Sequence, residues 1–503
     1  MNSAFSWIDW SVFGAYFLVL VLTSVLFSRI RVHNTRDYFV GAHGVPMWAA
    51  AVSILATSQS AATFLGGPEY SYKHDLTFLG FYLSAFLGVM IVAKVLIPRF
   101  YAMDAVTVYE LLEKRYGSQA KRDAAVMFLV GRLFASGARL YMGALAVSMI
   151  LFLDIAPMHM LISVVILMLA ALGYAYYGGV KSVIFSDAIQ AITYIGAGMA
   201  VAVYLYDSLD TDIGTLTAML ANEHKLKLVD TSFGGGFSIW ALVSGWLLLN
   251  VAAYGLDQDM TQRALTCRDT KAAQRSLILS IVLTVPVALL FLIIGLLLFA
   301  HYHGVGATPA SEFAGEKITV LMDYILHEMP EGLRGLVTVG AIAAALSSSN
   351  SVLTAMASVA IEDIYKPWRN RRVASDETHY LRASRVAVVL FAAALSAMAM
   401  LSYYWQRYSD VPLLSFALGV MAFAYTGLLG VYGAALFTRR GSAMRVRTAL
   451  IAGFATVLAL QPYVLGQSLG VSIPFAWQIV LGTLVAFGVM TVGRNAPTLT
   501  VGR

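Results

Sequence analysis

Thirteen stretches of predominantly apolar residues, each long enough to cross a bilayer as a helix, occupy most of the sequence. They begin near residues 9, 45, 76, 123, 158, 182, 236, 276, 335, 384, 412, 445 and 474. A spanning helix needs about 20 apolar residues. Inside lipid every backbone amide and carbonyl must be paired within the segment, which only helices and closed barrels achieve. The expected fold is therefore an all-α polytopic membrane protein with about 13 transmembrane helices in one domain over residues 1–503. Composition agrees, because 12% of residues are charged against roughly 25% in soluble proteins. The expected location is the cell (inner) membrane, multi-pass.

Charge sets the orientation. With the N-terminus outside and the C-terminus inside, 26 of the 34 Lys and Arg residues fall in cytoplasmic segments. Six (Lys73, Lys225, Lys227, Lys317, Arg334, Arg407) fall outside, and Arg132 and Arg139 fall within a helix. That asymmetry is the positive-inside rule. The first apolar run, Val12 to Phe27, has no basic residue before it and Arg29, Arg31 and Arg36 after it. This is the reverse of a cleavable signal peptide, so the run is expected to be retained with its N-terminus outside. Because the basic residues do not gather on one soluble face, nucleic acid is excluded as a partner. A single cysteine, Cys267, excludes an internal disulfide and a cysteine-based zinc site.

Two outer segments, 207–235 and 301–334, are polar enough to be loops. The amphipathic "EKITVLMDYILHEM" (316–329) is expected to lie at the membrane surface, and "TVYELLEKRYGSQAKR" (107–122) to form a short cytoplasmic helix. The tail "RNAPTLTVGR" (494–503) is too short for a domain, which speaks against a sensor with an attached signalling module. The pair in "HYHG" (301–304) lies in an outer loop with no accompanying nucleophile or metal set, so a membrane enzyme is disfavoured.

Polar groups inside the membrane default to function. A lone Ser is the exception, because its hydroxyl bonds a carbonyl one turn back. In "AAALSSSNS" (343–351), Ala344, Ser347, Ser348 and Ser351 recur at i, i+3, i+4 and i+7, one stripe of a helix, flanked by Asn350. Ser349 points nearly opposite. Small residues also serve close helix packing, yet Ala or Gly would do that without hydroxyls. In "AVSILATSQSAATFLGGPE" (51–69) the hydroxyls, Gln59, the Gly pair and Pro68 indicate a spanning helix broken midway. Such breaks line cavities, where transporters use the freed carbonyls to hold cations and substrates. Backbone carbonyls from the break and hydroxyls from the serine stripe would form an oxygen cage for a hard monovalent cation. Asp187 in "KSVIFSDAIQ" has three readings: cation ligand, proton carrier, or a carboxylate snorkelling near the interface. Arg132 and Arg139 share a helix face, as substrate ligands or as structural groups bonded to carbonyls or to a carboxylate such as Glu69. Asp257, heading "DQDMTQR" (257–263), starts an inner loop, where a solvated residue is the bland reading.

Four ordered motifs, "SILATSQSAATFLGG", "GGVKSVIFSDAIQ", "DQDMTQR" and "AAALSSSNSVLTAMASVAIEDIY", together resemble the sodium–solute symporter family over residues 36–440. The thirteen-helix count resembles its bacterial branch that carries proline and sialic acids. The resemblance implies a leucine-transporter-like fold of two five-helix inverted repeats, here 45–206 and 236–440, with a broken helix 2. Helices over 9–30 and 441–493 would be peripheral.

The resemblance also implies a Na+ site made by the carbonyls of Ala56, Gln59 and Ala344 and the hydroxyls of Ser347 and Ser348. A second Na+ site would use Asp187, Asn350 and Ser351. Candidate substrate-binding residues are Ser58, Ser60 and Thr63 on the broken helix, Phe78 and Tyr82 at an aromatic wall, and Arg132, Arg139 and Asp257. The sialic acid branch's carboxylate-clamping arginine falls on Ala135, with Arg132 and Arg139 one turn to either side; Arg139 is expected to anchor substrate and Arg132 to be structural. The sugar branch's Glu-Gln pair is Ala62-Thr63 here. The expected function is sodium-coupled import of a small organic solute by alternating access, with a lean toward an acidic solute. Sugar or amino-acid/proton symport on the same fold, and a transporter-like solute sensor, are the alternatives.

Overall fold

Almost every apolar run folds as a helix, since backbone facing lipid has no other local way to pair its polar groups. The computed structural model describes residues 5–28, 32–372, 376–408, 413–466, 470 and 473–492. Arg29, Arg31 and the tail 494–503, which entered the charge count, lie outside the described residues. In chain order the main helices are α1 (Trp7–Ser28), α2 (Met47–Ser58), α3 (Ala61–Lys73), α4 (Leu79–Val95), α5 (Ser118–Phe152), α6 (Pro157–Ser208), α7 (Ile239–Gly255), α8 (Gln258–Leu265), α9 (Thr270–Val305), α10 (Val320–His327), α11 (Leu333–Ser358), α12 (Glu377–Tyr408), α13 (Leu413–Phe437), α14 (Ala443–Ala459) and α15 (Phe475–Thr491).

Eight described helices are long and apolar enough to cross a bilayer. Counting each bent pair, α2 with α3 and α7 with α8, as one span raises the number to ten. At its centre α11 packs along α6 and also touches α2, α3 and α5, while α13, α14 and α15 form a separate three-helix group leaning on α5 and α7. The short helix expected within 107–122 is present as Glu110–Tyr116.

The 52-residue α6 would measure roughly 78 Å if straight, against about 30 Å of hydrocarbon. Its helical geometry is interrupted at Gly179 (φ 57°, ψ −149°) in the "GGVK" turn. A Cβ there would lie 2.3 Å from the Tyr38 carbonyl oxygen, and the Tyr38 hydroxyl donates to the Ala175 carbonyl across the same turn. Only glycine fits both the dihedrals and the contact.

The apolar residues of the amphipathic 316–329 segment pack against other helices of the protein. Its first residues form β2 (Glu316–Lys317), which pairs antiparallel with β1 (Glu312–Phe313). The remainder forms α10, with Val320 to Leu326 all buried against α3, α5 and α9. Asp323 can be buried with them because its carboxylate takes bonds from the Tyr302 hydroxyl (3.0 Å) and the Ala310 amide (3.1 Å). The Val320 amide bonds Glu69 at 2.7 Å, which ties α10 to α3.

Gly179→Ala places an L-residue in a region reserved for glycine, at about 1–3 kcal/mol for the dihedrals alone, with the Tyr38 clash added. The expected outcome is loss of monodisperse protein on size-exclusion chromatography in detergent; a wild-type elution profile and melting temperature would contradict this role of the turn.

Candidate functional site

The site is built where α2 stops. The helix axis bends by 60° between α2 and α3. Gln59 (φ −93°, ψ 140°) and Ser60 (φ −141°, ψ 173°) are extended. In an unbroken helix the Ser60 amide would bond the Ala56 carbonyl. Here it bonds the Thr63 hydroxyl instead, at 2.6 Å. The Ala56 carbonyl is thereby released at the centre of the bundle, and the Ser347 hydroxyl of α11 reaches it at 2.9 Å while lying 3.1 Å from the Ala344 carbonyl. Three oxygens expected to ligate sodium therefore converge. Gln59 is buried beside them.

The neighbouring polar residues of α11 face α5 and α6 or bond within the helix. Ser348 and Ser349 bond the carbonyl of Ala345 and line a small cavity with Ser136 and Arg139 of α5, so Ser349 does not stand alone on an opposite face. Asn350 reaches α6, donating toward the Ser186 hydroxyl (3.3 Å) and the Gln190 amide oxygen (3.4 Å). Ser351 bonds the Ser348 carbonyl.

Asp187 is fully buried, which removes the snorkelling reading. It accepts a bond from Ser53 of α2 and pairs with Arg263 of α8 at 3.5 Å. Arg263 in turn bonds Ser53 (2.8 Å) and pairs with Asp259 (3.2 Å). Asp259 is shared with Arg132 (3.5 Å), which also pairs with Asp257, and the Tyr425 hydroxyl of α13 donates to Asp257. All five ionic side chains are buried. Asp257 is therefore no solvated loop residue: it caps α8, accepting from the Asp259 amide at 2.9 Å. Nor is Glu69 the partner of the α5 arginines, since it pairs with Lys73 and the Val320 amide. Sequence reasoning missed Ser53, Asp259, Arg263 and Tyr425 as members of this network. The available signal was "DQDMTQR" itself, too polar for a span and, unlike a loop, without glycine or proline.

Arg139 is different. It makes no hydrogen bond or ion pair to any described residue, although it is half-buried two turns from Arg132. It lines a cavity of about 300 Å3 together with Ser58, Arg132, Asn250, Tyr254 and Tyr425. Thr63, Phe78 and Tyr82 line a second cavity of about 230 Å3 on the other side of the break, with Gln59 and Gly66. Phe78 and Tyr82 meet edge to face at 5.7 Å. Ser60 is buried as the cap of α3 and lines neither cavity.

The sequence model of the family described as sodium:solute symporter matches residues 38–445. The chain is 27% identical over 469 residues to a sodium/sialic acid symporter of Proteus mirabilis strain HI4320, covering 90% of both chains. It is 26% identical over 464 residues to a sodium/sialic acid symporter of Aliivibrio fischeri strain ES114, covering 90% of this chain and 88% of that one. A solved substrate-bound, outward-open structure of a Na+-coupled sialic acid symporter shares the fold, with a TM-score of 0.84, 24% identity and coverage of 98% of this chain and 100% of that chain.

Asp259 is the shared counter-ion of two buried arginines. Asp259→Ala leaves each with a single acidic partner, and removing one member of such a buried pair costs about 3–5 kcal/mol. The melting temperature of the detergent-purified variant should fall sharply; an unchanged value would mean that water solvates the network.

Proposed function

The chain belongs to the sodium:solute symporter family and is a sodium-coupled symporter of a small organic solute rather than an enzyme; from that premise we propose that the solute is acidic, of the sialic acid class, and is held by Arg139. The observation that carries this reading is the guanidinium of Arg139, which has no partner among the described residues, in a polar cavity beside the helix break. A charged group at membrane depth persists where it has a partner or water, and an arginine with neither acid nor carbonyl committed to it is free to take a carboxylate from outside. Sodium/sialic acid symport in the relatives supports the same class.

Sodium would bind where Ala56, Gln59, Ala344, Ser347 and Ser348 offer oxygen. A second ion would use Asp187, Asn350 and Ser351. Two buried acceptors there, Asp187 Oδ1 and Asn350 Oδ1, have no hydrogen-bond partner among the described residues, as a cation ligand requires. Thirteen passes, N-terminus outside and C-terminus inside, agree with the distribution of Lys and Arg. The division into repeats 45–206 and 236–440, with 9–30 and 441–493 peripheral, is supported by the bend near the start of each repeat, 60° after α2 and 53° after α7. Sodium bound between α2 and α11 favours the outward-open state, and its loss to a low-sodium interior favours release inward.

The test is uptake of radiolabelled sialic acid into proteoliposomes under an inward sodium gradient; accumulation of an uncharged sugar, and none of sialic acid, would remove the acidic-solute reading. Within that assay, Ser347→Ala with Ser348→Ala should raise the sodium concentration for half-maximal uptake by the equivalent of about 1–3 kcal/mol. An unchanged sodium dependence would unseat the ligand assignment.

Arg139→Lys replaces a planar fork by a point charge that cannot make the bidentate contact. Solute affinity should drop about tenfold, roughly 1.4 kcal/mol, with sodium binding in the absence of solute unaltered. Normal transport by this variant would return Arg139 to a structural role.

A further inference from the structure

A groove of about 480 Å3 runs between α5 and α14 and shares no lining residue with the two cavities beside the helix break. Its charged residues stand together at one end. Asp123, in the second turn of α5, accepts from Nε (3.0 Å) and Nη2 (3.1 Å) of Arg447, in the second turn of α14. Both helices therefore lead away from one ion pair in the same direction. Beyond it the walls are apolar, with Val126 and Val130 on α5 and Ile451, Phe454 and Leu458 on α14. Val126, Val130 and Ile451 are 47%, 44% and 57% exposed, so the groove opens sideways, away from the bundle. Its length is informative, because the eleven-residue rise from Arg447 to Leu458 is about 16 Å, close to half of the roughly 30 Å hydrocarbon layer. So are its donors. Arg122 lines the charged end and makes no hydrogen bond or ion pair to any described residue, while Arg447 spends Nε and Nη2 on Asp123 and keeps the two N–H groups of Nη1. A protein helix crossing the whole bilayer would cover the walls and offer nothing to this end. An amphiphile one leaflet long matches both.

We propose that this groove holds one anionic phospholipid, with its phosphate between Arg122 and Nη1 of Arg447 and an acyl chain along Val126, Val130, Ile451 and Leu458. Two arginines against one aspartate leave the end with a single positive charge. The phosphodiester of phosphatidylglycerol neutralises it, whereas a headgroup that brings its own ammonium does not. Guanidinium groups bind phosphate through short, charge-assisted bonds. Basic pockets between membrane helices on the cytoplasmic side take acidic headgroups, and the orientation proposed above puts this end there. The lipid would bridge α5, which carries Arg132 and Arg139, to the group formed by α13, α14 and α15.

Native mass spectrometry of the full-length chain, stripped of lipid in detergent and titrated with phosphatidylglycerol or phosphatidylcholine, tests this. The wild type should bind one phosphatidylglycerol more tightly than any phosphatidylcholine. Arg122→Gln should lower phosphatidylglycerol affinity about fivefold, the weight of one basic side chain beside an anionic lipid surface, and leave phosphatidylcholine binding as it was. Ala455→Trp, which fills the apolar wall, should remove the tight phosphatidylglycerol. The sodium-induced rise in melting temperature reports that each variant is folded. Should Ala455→Trp not fold, glycerophosphoglycerol, the same headgroup without chains, takes its place as the probe of the wall and should fail to displace the lipid from the wild type. Equal affinities for the two lipids, or a preference that survives Arg122→Gln, overturns the site. Tight phosphatidylglycerol that Ala455→Trp leaves in place, or that the chainless headgroup displaces, also overturns it, because the groove then contributes nothing. A lipid-free dimer that Ala455→Trp dissociates would make a second copy of the chain the occupant and overturn the proposal as well.

Discussion

Asp259, shared between Arg132 and Arg263, is the contact on which the interior depends. An isolated charge in a low-dielectric interior is prohibitively expensive, so none of these five groups could be buried without the others. Together they tie four elements at one point: α2 through Ser53, α6 through Asp187, α5 through Arg132 and α13 through Tyr425, all onto α8. The short α8 can be wholly buried despite its polarity because each polar side chain has an assigned partner. Gln258 bonds the Val108 amide and the Val106 carbonyl, Thr261 the Tyr254 carbonyl and Gln262 the Phe39 carbonyl. The network thus fixes how these helices meet, close to the break that exposes the Ala56 carbonyl.

What was legible in the sequence follows from the range of each interaction. The spans were legible because lipid imposes a long, uniform apolar run. The break after Ser58 was legible because hydroxyls, paired glycines and Pro68 sit in one such run, and the breaking bond, Ser60 to Thr63, is local. Periodicity put Ser347 on a polar stripe, but it could not say that Ser347 would meet Ala56 while Ser348 and Ser349 would turn to the cavity beside Arg139. Those neighbours come from other helices. Asp187 lacked a basic partner because Arg263 lies 76 residues away along the chain. The amphipathic pattern of 316–329 told only that one face is apolar; burial against protein instead of lipid was decided by Tyr302 and Ala310, which satisfy Asp323.

Charge also suggests how the two ligands of the proposed symport would be coupled. Asp187, Asp257 and Asp259 outnumber Arg132 and Arg263 by one, and Arg139 in the adjoining cavity restores balance. A sodium ion near Asp187 would leave the interior one charge positive, and a solute carboxylate on Arg139 would return it to neutrality. Each ligand therefore improves the field for the other without touching it. Two unit charges about 10 Å apart at an effective dielectric near 20 interact by roughly 1–2 kcal/mol, which is within the usual range of coupling between sites. An uncharged solute would gain nothing from this term, so with sodium at Asp187 and the solute at Arg139 the electrostatic part of the coupling would select for an anion.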